Sequence, residues 1–256
     1  MKISFDKYQG TGNDFVMIDN RDQAFSHEDL NTVSFLCDRR FGVGADGVIL
    51  IEDHSAYDFE MVYFNPDGSQ SLCGNGSRCA VKYAEALGII SGSTRFLAID
   101  GPHEASIAGA LVDLKMANVT NVQSIGEDRL IDTGSPHYLR YVDKTQEIDP
   151  VLIGREVRYS ERFAKEGVNV NFLEEVSSAE LNIRTYERGV ENETLSCGTG
   201  CTAAAIAHGI KTGAKDIKLN AQGGQLSVRF ERHGNEFKEI FLKGPAEKVY
   251  SGQIVV

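Results

Sequence analysis

Short apolar runs dominate the chain, and helical periodicity is confined to a few places. Residues 15–19 (FVMID), 48–51 (VILI) and 59–64 (FEMVYF) predict strands, and so do residues 169–173 and 179–186. Segments 95–99, 104–108 and 111–116 predict further strands joined by glycine-containing turns. A helix is expected from Ser26, with Asp29 three residues on as a capping-box-like start, to about Arg39. Its counterpart opens at Asp149-Pro150, a cap residue followed by proline at the first helical position. Two later helices, SRCAVKYAEALG from Ser77 and CTAAAIAHGI from Cys201, are alanine-rich and apolar around most of their circumference. A helix apolar on all sides is buried on all sides.

This succession occurs twice. At an offset of about 122 residues, Gly12-Asn13-Asp14-Phe15 falls on Gly134-Ser135-Pro136-His137, Arg40-Phe41 on Arg162-Phe163, and Phe64-Asn65 on Tyr186-Glu187. GADGVILIE from Gly44 falls on GVNVNFLEE from Gly167, and Cys73-Gly74-Asn75-Gly76 falls on Cys197-Gly198-Thr199-Gly200, each within a residue or two of the same offset. Five matches in one order imply a tandem duplication. The expected fold class is α+β: two pseudo-symmetric halves, residues 1–117 and 118–256, each a mostly antiparallel curved sheet or barrel around a central apolar helix.

Composition narrows the partners. Net charge is −11 and Arg39-Arg40 is the only adjacent basic pair, so nucleic acid and anionic membranes are not expected. No apolar run approaches the ~20 residues of a membrane span. The N-terminal MKISFDKYQGTGNDF has no apolar signal region, which predicts a cytosolic protein. Five cysteines, an odd number, argue for free thiols over a disulfide framework.

Two of these thiols stand out. Cys73 and Cys197 each precede Gly-x-Gly where a buried helix starts. The first N–H groups of a helix are unpaired and carry partial positive charge. A thiol there is expected to lose its proton more easily, and a carboxylate is expected to bind there. One such cysteine per half suggests a site in the cleft between the halves, with a thiol on each face of a small substrate. Stereoinversion at carbon needs that arrangement, one group removing a proton and the other returning one from the opposite side.

GTGNDF (10–15), FNPDGS (64–69), CGNGSRC (73–79), YERGVENET (186–194) and SCGTG (196–200) resemble the diaminopimelate epimerase family over nearly the whole chain. The resemblance implies a cofactor-independent isomerase, with no metal, that interconverts LL- and meso-diaminopimelate in lysine and peptidoglycan precursor synthesis. It implies Cys73 and Cys197 as the catalytic pair, and His137 and Glu187 as groups tuning their pKa values. Asn13, Asn65, Gly74, Asn75, Asn169, Glu187, Arg188, Gly198 and Thr199 would bind substrate. The C-terminal segment, about 247–256, would pack back on the first half. The implied partner is a small-molecule substrate, with a homodimer as one state the sequence allows. Gly47 stands where some members have glutamine, and Ser135 where some have asparagine.

Other readings fit less well. Residues 42–47, GVGADG, spell a dinucleotide fingerprint, but they follow a helix and open a strand, the reverse of what that site requires. Cys197-x3-Cys201 lacks a second close pair for zinc. A related proline or hydroxyproline racemase would carry histidine in the first cysteine motif, where this chain has Asn75. A thiol redox protein would carry its cysteines close together on one element. A binding module gives no reason for two such thiols.

Overall fold

A computed structural model describes residues 2–256. The chain forms two compact units, Met1–Leu114 with Gly244–Val256, and Lys115–Lys243.

The first unit runs β1 (Lys2–Gly10), β2 (Asn13–Asp19), α1 (Leu30–Cys37), β3 (Gly47–Glu52), β4 (Phe59–Phe64), α2 (Gly74–Ala86), β5 (Ser93–Ala98), β6 (Gly101–Ala108) and β7 (Leu111–Lys115). Strand pairs β1–β2, β3–β4, β5–β6 and β6–β7 are antiparallel, whereas β2–β3 and β4–β5 are parallel. The second unit runs β8 (Val122–Ile125), β9 (Asp128–Asp132), β10 (Pro136–Tyr141), α3 (Pro150–Arg158), β11 (Asn169–Ser177), β12 (Glu180–Glu187), β13 (Asn192–Thr194), α4 (Gly198–Thr212), β14 (Asp216–Ala221), β15 (Gly224–His233) and β16 (Glu236–Pro245). It repeats the alternation: β10–β11 and β12–β14 are parallel, and β11–β12, β14–β15 and β15–β16 antiparallel. The chain then returns to the first unit, where β17 (Glu247–Val255) pairs antiparallel with β1.

Register shows the duplication residue by residue. Phe15 pairs with Gly47 and Val48 with Phe64 in the first unit; His137 pairs with Asn169 and Val170 with Tyr186 in the second. Across β11 the offset is therefore 122, one less than the alignment of GADGVILIE on GVNVNFLEE. A one-residue slip exchanges the two faces of a strand, so this correction decides which residues correspond.

Strands β2, β3 and β4 and the first half of β11 are covered on both faces, which explains their unbroken apolar runs. Val16, Val48, Leu50, Val62 and Phe64 pack with Val33 and Leu36 of α1. The opposite face, including Phe15 and Ile49, meets α2 at Gly76. Val170, Phe172 and Tyr186 gather Val151 and Val157 of α3, while Asn171 and His137 meet α4 at Gly200. Helices α2 and α4 are thus the central helices expected from their composition. Residues 200–209 are buried without interruption, and Gly213, at φ 84°, ends α4 in the left-handed conformation.

Local starts differ from expectation in three helices: α2 and α4 open at Gly74 and Gly198, three residues before Ser77 and Cys201, and α1 opens later than Ser26. Helix α1 begins at Leu30, with Asp29 as its N-cap accepting from the Thr32 N–H, and ends at Cys37. Ser26 closes only the turn before it, accepting from the Asp29 N–H at 3.1 Å. Asp149 caps α3 through the N–H groups of Val151 and Leu152, with Pro150 in its first turn.

Candidate active site

Cys73 and Cys197 are the N-caps of α2 and α4, in nearly the same extended conformation, φ −127° and −123° with ψ 112° in both. Their carbonyls accept the first helical N–H bonds, from Ser77 at 2.7 Å and Cys201 at 2.9 Å. Each sulfur therefore lies beside N–H groups that the helix leaves unpaired.

In the first unit, Cys73, Asn13 and Asn75 converge. The Gly76 N–H donates to Cys73 Sγ at 3.4 Å, and Cys73 Sγ donates to Asn13 Oδ1 at 3.5 Å. Asn13 Oδ1 also accepts from Asn75 Nδ2 at 3.4 Å, while Asn13 Nδ2 donates to Asp46. Arg78, fully buried in α2, donates to Asn75 Oδ1 at 2.9 Å and Thr11 Oγ1 at 3.1 Å, which sets the Asn75 amide. Nothing in the sequence reading singled out Arg78.

Asn65 is held by a different set. Its Oδ1 accepts from the Tyr63 hydroxyl at 3.0 Å, and its Nδ2 donates to Ser69 and Ser71. Tyr63 also explains Gly47: a Cβ there would lie 2.3 Å from Tyr63 Cε2 and 2.6 Å from the Phe64 carbonyl oxygen. The tyrosine ring occupies the space a side chain at 47 would need.

In the second unit, His137 Nε2 lies 3.0 Å from Thr199 Oγ1, which lies 3.4 Å from Cys197 Sγ. The Thr199 carbonyl accepts from Thr133 Oγ1 at 2.9 Å, fixing the loop between cysteine and helix. His137 is fully buried, and burial pushes its pKa down to about 3, with the Arg188 charge adding to it. Its imidazole is neutral. Glu187 accepts from Thr194 Oγ1 at 2.7 Å.

The Cys197 thiol does not follow the simple helix-terminus expectation. Burial pushes its pKa up, and the Glu187 charge adds to that; the Thr199 hydroxyl and the Gly200 N–H pull the other way and are outweighed. Desolvation of the anion exceeds what those donors return. Burial also pushes Cys37 up to about 11 and Cys79 higher still, as for ordinary core thiols.

Asn169, Ser135 and Arg188 form a second cluster. Asn169 Nδ2 donates to Ser135 Oγ at 2.8 Å, and its Oδ1 accepts the Arg188 N–H at 2.9 Å. Arg188 donates to Ser135 Oγ at 3.3 Å and to the Glu166 carbonyl at 3.0 Å, and it is exposed. A planar guanidinium with an adjacent amide and hydroxyl suits a carboxylate.

Beneath α4 lies a polar floor that sequence reasoning missed. Asn171 is fully buried and Thr185 nearly so, and both are bonded to one another. Gly200 is needed there for close approach, because a Cβ would sit 2.5 Å from Asn171 Oδ1 and 3.3 Å from the His137 ring.

Among the described residues, no helix is long and apolar enough to cross a membrane. A sequence model of the family "Diaminopimelate epimerase" matches residues 5–108 and 129–249. The chain is 49% identical to the diaminopimelate epimerase of Flavobacterium psychrophilum, over 97% of this chain and 98% of that one. It is 38% identical to the diaminopimelate epimerase of Aquifex aeolicus, over 98% of each. Among solved structures, a PhzF-family phenazine biosynthesis protein from Bacillus anthracis shares the fold at TM-score 0.80 and 14% identity, covering 100% of both chains. A hydroxyproline epimerase from Agrobacterium vitis does so at TM-score 0.69 and 16% identity, over 99% of this chain and 92% of that one. The chain belongs to the diaminopimelate epimerase family.

Proposed function

We propose that this isomerase interconverts LL- and meso-diaminopimelate, with Cys73 and Cys197 as its acid/base pair. The observation that carries the reading is the repeated N-cap cysteine: each unit sets one thiol at the start of its buried helix. One cysteine, as thiolate, takes the α-proton. The C–H bond breaks, an S–H bond forms, and the electron pair stays on the α-carbon and its carboxylate. The other cysteine gives its S–H proton to the opposite face. Backbone N–H groups at Gly74, Asn75, Gly198 and Thr199 hold the α-carboxylate and stabilise the charge that builds there. Asn13 and Asn65 assist in the first unit. Asn169 and Arg188 hold the distal end, and His137 and Glu187 bias the proton on Cys197.

The supporting family membership covers nearly the whole chain. The test is incubation with LL-diaminopimelate in deuterated water, without added cofactor or metal, read by proton NMR. Deuterium should enter one α-carbon as the meso isomer forms. Cys73→Ala and Cys197→Ala should each lose about 10²- to 10⁴-fold in turnover, and Cys37→Ala little. Near-normal turnover in either of the first two would end the two-thiol reading. Cytosolic location is part of the proposal, as is a homodimer, which the exposed Val249, Tyr250 and Val255 of β17 favour. A monomer in sedimentation would remove that part alone.

A further inference from the structure

The polar floor under α4 has a direction. The Tyr138 carbonyl can only accept, so the Asn171 atom 3.3 Å from it is the amide nitrogen Nδ2. Oδ1, on the other side, accepts from Thr185 Oγ1 at 2.9 Å. The second Nδ2 proton points to His137 Nδ1 at 3.0 Å. A ring nitrogen that accepts carries no proton, so neutral His137 bears its hydrogen on Nε2. That N–H donates to Thr199 Oγ1, which turns the Thr199 O–H away from the ring and lets it donate to a Cys197 thiolate.

The first unit has the same scaffold without the relay. Phe15, Ile49 and Tyr63 hold the register positions of His137, Asn171 and Thr185. A Cβ at Gly76 would meet Ile49 and Phe15, where one at Gly200 would meet Asn171 and His137. Buried polar groups left unpaired destabilise the fold. A floor of three of them in place of an apolar one has to be fully bonded, and this one is bonded in a single order.

We propose that Asn171 is a positioning residue for Cys197: it fixes the Nε2–H tautomer of His137 and so turns the Thr199 hydroxyl proton toward the Cys197 sulfur. The inference rests on the reading of Cys197 as an acid/base residue. A donor at the sulfur favours the thiolate, against the Glu187 charge from β12 and the neighbouring Cys201 of α4. The Gly200 N–H acts in the same sense as the relay, and the Arg188 charge helps to keep His137 neutral.

Two readouts test this, and neither uses turnover, so failure of the epimerase reading and failure of this one are separate results. The first is the two-bond proton–nitrogen NMR correlation of the His137 ring in full-length protein labelled with ¹⁵N-histidine, assigned with His137→Gln. The wild type should show the Nε2–H tautomer, and Asn171→Asp, whose carboxylate only accepts, the Nδ1–H tautomer. The second is the pH profile of Cys197 alkylation by iodoacetamide, followed by peptide mass spectrometry. Its midpoint should rise by about one unit in Asn171→Asp and also in Thr199→Val, which adds no charge. Added to Thr199→Val, the Asp should contribute only what its charge does through space, so the rise in the double variant should be smaller than the sum of the two single rises. An Nδ1–H tautomer in the wild type, an unchanged midpoint in Thr199→Val, or full additivity would each overturn the proposal. Should Asn171→Asp not fold, the wild-type tautomer and Thr199→Val decide it.

Discussion

Phe15 and His137 hold the same register position in the two units, each beside the first residue of the next parallel strand, Gly47 and Asn169. One is an apolar ring under α2 and the other a neutral imidazole under α4. The duplicated scaffold therefore presents two N-cap cysteines in one backbone conformation but on unlike floors. Cys73 faces an asparagine oxygen that accepts from it, whereas Cys197 has a hydroxyl beside it. The backbone is shared, and the chemistry differs through three side chains.

Gly200→Ala should test the floor directly. The added Cβ would meet Asn171 Oδ1 at 2.5 Å, so α4 or the floor must move by a few tenths of an ångström or more. Misplacement of that order at a reacting group costs up to about 100-fold in rate, and kcat of this variant should fall in that direction with helical content retained by circular dichroism. Gly76→Ala meets Ile49 Cδ1 at 3.0 Å, the far end of a flexible chain. It should lose much less. Equal losses would show that the floors do not matter.

His137 gives stability a pH dependence whose sign follows from burial. Its folded pKa is lowered from 6.5 to about 3. Below pH 6.5 the unfolded chain takes up the proton and the folded protein does not, so stability falls as pH drops. The window closes near pH 3, where the folded form also protonates. The slope is up to about 1.4 kcal/mol per pH unit from this group. Urea midpoints between pH 6.5 and 4.5 should fall less steeply for His137→Gln than for the wild type. Parallel lines would place the acid sensitivity in other groups.

Much of this was legible in the chain because the signals were local. The cysteine–glycine starts of α2 and α4, the all-round apolar helices and the Asp149-Pro150 cap each depend on neighbours in sequence. The floor was not legible, because it depends on register. Read one residue out of step, β11 sets Phe172 against Ile49, apolar on apolar, and Asn171 disappears into the strand pattern. Only the pairing of Phe15 with Gly47 and His137 with Asn169 aligns Ile49 with Asn171. Arg78 was hidden for a similar reason: its acceptors, Thr11, Asn75 and Pro245, are brought together only by tertiary folding.

Arg188→Lys should separate binding from folding. Arg188 is exposed and its partners are a serine hydroxyl and a backbone carbonyl. Arg188 is no buried charge in the free protein, so the urea midpoint should hardly change. Substrate recognition is another matter, because lysine cannot form two parallel hydrogen bonds with a carboxylate. Bonds to charged groups contribute about 1.5–3 kcal/mol, so kcat/KM for diaminopimelate should fall about 10- to 100-fold. An unchanged kcat/KM would place recognition of the distal carboxylate elsewhere.

Gly47 and Tyr63 form a complementary pair, and a double-mutant cycle should expose their coupling. Gly47→Ala puts a Cβ within 2.3 Å of Tyr63 Cε2 and 2.6 Å of the Phe64 carbonyl oxygen. Overpacking of this kind costs about 1–3 kcal/mol. Tyr63→Ala alone leaves a cavity and removes the hydroxyl that donates to Asn65 Oδ1 at 3.0 Å. In the double variant the Cβ finds that cavity, so the loss should be smaller than the sum of the single losses, by about 0.5–3 kcal/mol. It should not vanish, because the Phe64 carbonyl belongs to β4 and cannot swing away. Tyr63→Phe completes the argument. It keeps the ring against Gly47 but leaves Asn65 without that donor, so stability should be nearly preserved while KM rises. Additive losses in the cycle would mean that the space at Gly47 is set by the backbone of β4 alone.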